Sequence, residues 1–248
     1  MPRYSVSDAL VLRRAPLPSG DVVVTLLSEH GKWRAVARKG RLPGGNLARL
    51  SLFHDVTVQA YRRRDDDLAV LTQVRLNGAL AGLTRPEAYP YAHVLAELAD
   101  ALTVDTHVGE RLLAVVTSGL RGVGAFEDPE AVALAYAWHL LALAGLAPHL
   151  GLGAALDTPA CQRCSAPATH LAVAAGVVRC AAHADHARDV RVEETGMRSL
   201  AHAVRGPLRT AVLEPPGDRA NAWRALHAYV REHVGEVRAL AALTQGRR

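Results

Sequence analysis

The sequence predicts an α+β multidomain protein in which a small β-barrel precedes a helical region that carries a metal-binding insert. Three observations support this fold class. Apolar residues alternate with polar ones in short segments up to about residue 80, but recur every three to four positions from Pro86 onward. The three cysteines, Cys161, Cys164 and Cys180, lie in one short stretch. A chain of 248 residues, half of them apolar, is long enough for two or three small domains.

Residues 1–80 are predicted to form five short strands separated by turns. The segments "DALVLRRA" and "DVVVTLLSEHG" flank the Pro/Gly loop "PLPSG". The segment "KWRAVARKG" alternates with a period of two, and "HDVTVQAYRRR" with "DDLAVLTQVRLNG" indicates a hairpin. Because the OB-fold is a five-stranded barrel that binds oligonucleotides, we predict an OB-fold nucleic-acid-binding domain over residues 1–80. We expect Val22 to Leu27 and Val36 to carry its core.

Residues 81–158 are predicted to form a helical bundle, and residues 189–248 to add helices that pack on it. The bundle segments are "PEAYPYAHVLAELADAL", "VGERLLAVVTSGL" and "EDPEAVALAYAWHLLALAG", the last with Asp128 as N-cap and Pro129 at its first position. The apolar run from Ala131 to Ala147 is shorter than the roughly 20 residues that span a bilayer, so we expect a buried helix and no membrane partner. The C-terminal segments are "TGMRSLAHAVRG" and the long amphipathic "DRANAWRALHAYVREHVGEVRALAAL".

Residues 159–188 are predicted to form a zinc-binding module. Two residues separate Cys161 from Cys164, which lets both thiolates face one metal, and Cys180 follows at the spacing of a second ligand pair. If "RCAAHADHARD" begins a helix, His183 lies on the same face as Cys180 and completes a Cys3His site, whereas His186 points away. His170, in the intervening stretch, is a weaker candidate. Four protein ligands leave no position for water, so we expect one structural zinc per chain.

Catalytic alternatives lack the residues that they need. A redox CxxC pair would begin a helix in a βαβ unit, and no such unit is indicated. Zinc deaminases need an upstream H-x-E motif, which is absent, and "PACQRC" places Ala160 between the proline and the first cysteine. The sequence also has no GxxxxGK[ST], GxSxG or HExxH motif. We therefore expect no enzymatic activity.

The charge is distributed unevenly and favours a polyanionic partner. Residues 1–80 contain thirteen basic and seven acidic residues, a net charge of +6. The net charge is −5 over residues 81–187 and +4 over residues 188–248. One stretch contains six basic residues and no acid, namely Lys32, Arg34, Arg38, Lys39, Arg41 and Arg49. It indicates either a solvated strand face or, with the barrel, a nucleic-acid backbone site.

Aromatic side chains are scarce near this basic stretch. Trp33, Phe53 and Tyr61 are the only plausible stacking surfaces, so binding should be driven by the backbone and sensitive to salt. The alternative DNA site is the basic C-terminal segment around Arg188, Arg191 and Arg198. Three cysteines do not form a disulfide framework, and no leader precedes "MPRYSVSDALVL", so we expect a cytoplasmic protein. If its polyanionic partner is DNA, we expect it to be nucleoid-associated.

The segments "DVVVTLLSEHGKWRAVARKGRL" and "LSLFHDVTVQAYRRRDDDLAVLTQVRL", with "CQRC" and "GVVRCAAH", resemble the RecO recombination-mediator and DNA-repair proteins of bacteria over nearly the whole chain. The resemblance implies an N-terminal OB-fold, a helical domain, a zinc module of treble-clef type and no turnover. It also implies binding to single- and double-stranded DNA, strand annealing, contact with the single-stranded-DNA-binding protein SSB, and cooperation with RecR in loading RecA. Family members usually have cysteine where this chain has His183, an exchange that zinc accepts.

Two other functions are compatible with a basic barrel and a zinc site. One is an OB-fold and zinc RNA-binding factor of translation or ribosome assembly, which would contact 2′-hydroxyl groups. The other is a zinc-dependent enzyme acting on nucleic acid, which would need an exchangeable water on the metal.

Overall fold

The computed structural model describes residues 3–40, 44–64, 68–103, 109–151 and 158–246. Within this part of the chain, five strands form a closed barrel in the order β1-β2-β3-β5-β4, which confirms the predicted five-stranded N-terminal sheet. The long first strand pairs with two other strands: its first half pairs with β4 and its second half pairs with β2. The parallel pair β3–β5 closes the barrel. The strands are β1 Arg3–Pro16, β2 Val22–Ser28, β3 Gly31–Ala37, β4 Asp55–Arg62 and β5 Ala69–Gly78.

The barrel interior follows from the alternation in the strands. Val22, Val24 and Leu26 of β2 are fully buried and meet inward residues of the other strands. In β3 the buried residues are Ala35 and Ala37, and Val36 is half-buried on the outer face. The expectation that Val36 contributes to the barrel core is therefore wrong, because in a strand the neighbour of an inward residue points outward.

Seven helices are present in the described part of the chain. The predicted cap of α3 is confirmed: Asp128 accepts a hydrogen bond from the Ala131 N–H at 2.8 Å, and Pro129 begins the helix. No described helix is long and apolar enough to cross a membrane. The helices are α1 Tyr89–Leu102, α2 Gly109–Ala125, α3 Pro129–Leu143, α4 Glu194–Arg205, α5 Leu208–Leu213, α6 Arg219–His233 and α7 Arg238–Gln245.

The long amphipathic C-terminal segment is two helices rather than one. Gly235, with a φ of +116°, lies between α6 and α7, a conformation that a residue with a Cβ rarely adopts. The break lets α7 turn back onto α1, where Glu97 accepts a hydrogen bond from the Ala239 N–H at 3.0 Å. The indole of Trp223 on α6 donates to Glu130 of α3 at 2.8 Å.

The cysteine segment forms a small sheet in the order β7-β6-β8, with β6 His170–Ala172, β7 Val177–Arg179 and β8 Val190–Arg191. Two hydrophobic clusters hold the described residues together. One fills the barrel. The other joins the helices, the small sheet and four outward-facing barrel residues, Leu10, Leu12, Leu27 and Phe53. The barrel thus rests on the helices through one apolar face.

Candidate metal centre and nucleic-acid interface

The first pair of candidate metal ligands is held by a tight turn. The Cys161 N–H donates to Ala166 O at 2.8 Å, and the Ser165 N–H donates to Cys161 O at 2.9 Å. Ser165 has a φ of +58°, which folds the chain back immediately after Cys164. These bonds bring both thiols to the same side of the turn.

The second pair follows the hairpin of β6 and β7. Cys180 comes directly after β7, and His183 ends a single 3₁₀ turn, Ala181–His183, in which the His183 N–H donates to Cys180 O at 3.1 Å. The helix after Cys180 on which the prediction of His183 as a ligand was conditional does not form, since the turn does not continue beyond His183. Three residues per 3₁₀ turn nevertheless place positions 180 and 183 on one side.

The structure brings Cys161, Cys164, Cys180 and His183 together, with all four ligand atoms within 4.8 Å of one another. Cys164 Sγ lies 3.6 Å from Cys180 Sγ, and His183 Nδ1 lies 3.5 Å from Cys161 Sγ and 3.4 Å from Cys180 Sγ. A tetrahedral zinc with bonds of about 2.3 Å to sulfur and about 2.0 Å to nitrogen separates its sulfur ligands by roughly 3.8 Å and each sulfur–nitrogen pair by roughly 3.5 Å. The four side chains therefore fit a tetrahedral ion of this size.

The donor set also suits zinc chemically. Burial opposes ionisation of Cys161, but the Cys180 and Arg163 N–H groups and the His183 ring outweigh it and lower the pKa of the Cys161 thiol to about 6. A thiol that ionises this readily is a ready metal ligand, because the thiolate is the form that binds. The other two histidine candidates lie apart from the quartet: His170 begins β6 in a buried position, and its ring packs edge-on against His186 at 5.1 Å.

The hairpin of the module, between Cys164 and Cys180, contacts α6 and the segment that follows α3. The His149 N–H donates to Gly176 O at 2.8 Å, and the Val178 N–H donates to His149 O at 3.2 Å. On α6, His233 Nε2 contacts Val173 O at 2.7 Å, and the Tyr229 hydroxyl donates to Leu146 O at 3.0 Å. Loosening the metal quartet would therefore disturb the packing of α3 and α6.

The six predicted nucleic-acid contacts occupy different environments. Arg34 on β3, with Arg38 and Lys39 in the turn that follows, is exposed, and none of the three has an ion pair within the described residues. The Lys39 N–H donates to Asp21 at 2.7 Å, which connects this turn to the β1–β2 loop and, with Ser19, lowers the pKa of Asp21. Arg49 is exposed and donates to Asn46 at 3.1 Å. Arg41 lies outside the described residues.

Lys32 differs from the others because it already has an acidic partner. Its Nζ lies 3.0 Å from Asp100 of α1, and Arg13 of β1 reaches the same carboxylate at 3.3 Å. One acidic residue of the helical region thus partly neutralises two barrel cations.

The pairing of the strands adds two arginines that the sequence pattern did not single out. Arg13 pairs with Thr25, and Thr25 with Arg34, so these side chains form one row across β1, β2 and β3. Arg13, Arg14, Lys32 and Arg34 line a cleft of about 380 Å³ beside α1, together with Asp100. One feature of the sequence could have indicated Arg13 and Arg14. They lie in the first strand, which pairs with β2, and β2 in turn pairs with β3. We call this row and cleft, with Arg38 and Lys39, the basic face.

The alternative C-terminal segment is less available to an anion. Arg198 pairs with Glu194 at 2.9 Å, and Arg188 lies 3.8 Å from Asp185. Arg191 is exposed on β8. Since two of the three arginines have acidic neighbours, the barrel carries the stronger unpaired charge.

Comparison with known proteins matches both the N-terminal and the C-terminal part of the chain to one family. The family model described as Recombination protein O N terminal matches residues 1–79, and Recombination protein O C terminal matches residues 83–240. The DNA repair protein RecO of Frankia casuarinae is 31% identical over 245 residues, which cover 94% of this chain and 95% of that protein. The proteins of the same name from Bifidobacterium longum subsp. infantis and Cutibacterium acnes are 31% and 33% identical and cover 74% and 68% of this chain, and 75% and 69% of their own lengths. The chain therefore belongs to the RecO family of DNA repair proteins.

Proposed function

We propose that this protein is a non-catalytic, DNA-binding recombination mediator. It binds single- and double-stranded DNA, anneals complementary strands, and acts with RecR and SSB to load RecA. Family membership supports the repair role. The observation that carries the DNA contact is the basic face, where Arg13 and Arg34 lie in one row and Arg38 and Lys39 are exposed beside it.

The barrel is assigned to the OB-fold class. A five-stranded closed barrel with a shared first strand and a parallel β3–β5 pair supports this assignment, and OB-folds bind oligonucleotides on the β2–β3 face. The domain division follows: an OB-fold over residues 1–80, a helical bundle over 81–158, a zinc module over 159–188, and C-terminal helices over 189–248. The last three share one hydrophobic cluster, so we expect them to unfold together.

Contact with DNA should be mainly electrostatic. Exposed guanidinium and ammonium groups bind phosphates without reading the sequence, and each phosphate neutralised releases counterions. The protein should therefore bind a strand of any sequence. Annealing of arbitrary complementary sequences requires binding of this kind. None of the described residues on this face has the nucleophile–base arrangement that turnover would need.

The metal is proposed to be one structural zinc held by Cys161, Cys164, Cys180 and His183 in a treble-clef-like module. With four protein ligands the ion supplies stability and no chemistry, because no coordination position is left for water. The role of the module is then to keep α3 and α6 in their positions relative to each other.

A charge-reversal variant tests the DNA site. Arg34→Glu, Arg38→Glu and Lys39→Glu together should weaken single- and double-stranded binding alike and abolish annealing of SSB-coated strands. For each phosphate that the variant no longer neutralises, the slope of log affinity against log salt should fall by about 0.7 for a single strand or about 0.9 for a duplex. The fold should survive, because the three side chains are exposed.

The matched control reverses three charges on the other basic segment, Arg188→Glu, Arg191→Glu and Arg198→Glu. It should leave DNA binding and annealing near wild type. Loss of binding in this control with retention in the barrel variant would move the site to the C-terminal segment. Tighter binding of RNA than of DNA, with no effect on annealing, would favour the RNA-binding alternative.

A further inference from the structure

The barrel exposes two large apolar side chains on the first half of β1. Tyr4 and Val6 are 66% and 67% exposed. Tyr4 is not isolated, because its ring lies 5.3 Å from that of Tyr61 on β4, tilted by 46°. Tyr4 is exposed and Tyr61 is half-buried beside it, so the pair presents ring surface that a flat ligand can reach.

The register of the strands connects this pair to the basic face. Val36 of β3 pairs with Val70 of β5, Val70 with Tyr61, and Tyr61 with Tyr4. Adjacent strands are about 4.8 Å apart, so the row extends roughly 10 Å from β3 to Tyr61 and roughly 15 Å to Tyr4. A single strand of two or three nucleotides spans that distance.

Positive charge lies at both sides of the tyrosine pair. Arg62 ends β4 directly after Tyr61, and Arg63 and Arg64 follow in exposed positions. On the far side of the apolar row, Arg34 precedes Ala35, which pairs with Ala69. The surface therefore presents an arginine on β3, then half-buried valines, then the two tyrosine rings with further arginines beside them, so cations that can bind phosphates lie at both ends of the row.

We propose that Tyr4 and Tyr61 form a base-stacking platform for a single-stranded segment whose backbone continues from the platform onto the basic face. The proposal rests on the proposed function, and charge complementarity identifies the occupant as nucleic acid. The bases of a duplex already stack on one another, so only a single strand can use the platform. It gives the protein a preference for unpaired bases that phosphate contacts alone do not provide.

The test compares three ligands of equal length: oligo(dT), an abasic strand with the same phosphates, and a duplex. Replacing Tyr4→Ala and Tyr61→Ala together should weaken oligo(dT) binding by at least about 5-fold if stacking on one base is removed, and by at least about 30-fold if stacking on two bases is removed. Abasic and duplex binding should stay within about twofold. Tyr4→Phe with Tyr61→Phe should restore oligo(dT) binding, since the ring is kept.

The control is Leu213→Ala, which removes an apolar side chain that is 61% exposed on α5, and it should change none of the three affinities. Unchanged oligo(dT) binding in the double alanine variant overturns the proposal and leaves the patch to a protein partner or a second copy. An equal loss on all three ligands also overturns it.

A measurement on the wild-type protein tests the platform even if the double alanine variant does not fold. The wild type should bind oligo(dT) at least about fivefold more tightly than the abasic strand, and equal affinity overturns the platform. Failure of the proposed function has a different signature, since a DNA site elsewhere leaves the barrel charge reversal without effect on abasic and duplex ligands.

Discussion

At the scale of single residues, the fourth position of the metal quartet is the most distinctive feature. As a zinc ligand, His183 would contribute a neutral imidazole where a fourth cysteine would contribute a thiolate. Three thiolates and one imidazole around a dication leave a net charge near −1 instead of −2, which needs less compensation from neighbouring groups. The ring reaches the thiols through Nδ1, because the 3₁₀ turn places it directly beside Cys180.

Removal of one ligand should release the metal and loosen the helices. Cys161→Ser and Cys180→Ser are expected to contain less than stoichiometric zinc by elemental analysis and to melt at lower temperature than the wild type, because the four ligands hold together the module whose β6–β7 hairpin contacts α6. His183→Ala should weaken zinc retention against a chelator.

His170→Ala and His186→Ala serve as matched controls and should keep the metal. Both rings lie outside the quartet, where they pack against each other. If all three histidine variants hold zinc equally well, His183 is not a ligand. DNA binding by the barrel should change little in any of these variants.

At the scale of elements, Asp128 connects the beginnings of two helices. Its Oδ1 caps α3 through the Ala131 N–H, and its Oδ2 accepts from Arg219 of α6 at 2.6 Å. Burial would raise the pKa of Asp128, but Arg219 and the Ala131 N–H outweigh it and lower that pKa below the ordinary 3.8. The folded state thus favours the carboxylate.

Asp128→Ala should cost about 1–2 kcal/mol of unfolding free energy, mostly because the cap is removed. Asp128→Asn keeps a capping oxygen and loses the ion pair, and should cost about 0.5 kcal/mol or less because the carboxylate is half exposed. A depressed folded pKa means that the contribution of the charge is present at neutral pH and disappears as the pH falls below 3.8.

The difference in unfolding free energy between the wild type and Asp128→Asn should therefore shrink between pH 7 and pH 3, as measured by denaturant titration. A difference that grows on acidification would contradict the direction of this pKa shift. Arg219→Ala should remove most of the effect of Asp128→Asn in a double-mutant cycle.

Local patterns were sufficient to predict most of the elements. The cap at Asp128, the alternation of β3 and the spacing of the cysteines depend on neighbours within one turn or strand. The division between α6 and α7 was missed although Gly235 was a local signal for a helix end, because the amphipathic pattern continues across it. The 3₁₀ turn after Cys180 was also missed, since three residues are too few to show a period.

At the scale of the whole molecule, Asp100 joins the barrel to the helices. It is 16% exposed and faces Lys32 and Arg13 at the edge of the basic face. Sequence could not reveal this contact, because Asp100 is 68 positions from Lys32. The row of Arg13 and Arg34 was hidden for the same reason, since it depends on strand register.

Neutralising the charge of Asp100 should strengthen DNA binding. In Asp100→Asn the Arg13 guanidinium is released to phosphates, while Lys32 keeps its bond to the Asp100 backbone oxygen. Under the proposed function, duplex affinity should rise and its salt slope should steepen by up to about 0.9, for one additional phosphate neutralised. Unfolding free energy should fall by about 1 kcal/mol or less.

The matched control is Glu194→Gln, which also removes an acid that pairs with an arginine, 2.9 Å away on α4. It should leave both the affinity and the salt slope unchanged. Equal gains in both variants would show a general effect of net charge, and no gain in Asp100→Asn would place the DNA away from this cleft.

The apolar face through which the barrel rests on the helices has a consequence for the order of synthesis. Leu10, Leu12, Leu27 and Phe53 are buried only once the segments of α1 and α2 are present. While the ribosome is still producing residues 81–125, a barrel that has already closed presents these four side chains to water. An apolar patch of this kind attracts other chains. The nascent protein is therefore exposed to aggregation through this face in the interval between completion of β5 and emergence of α2.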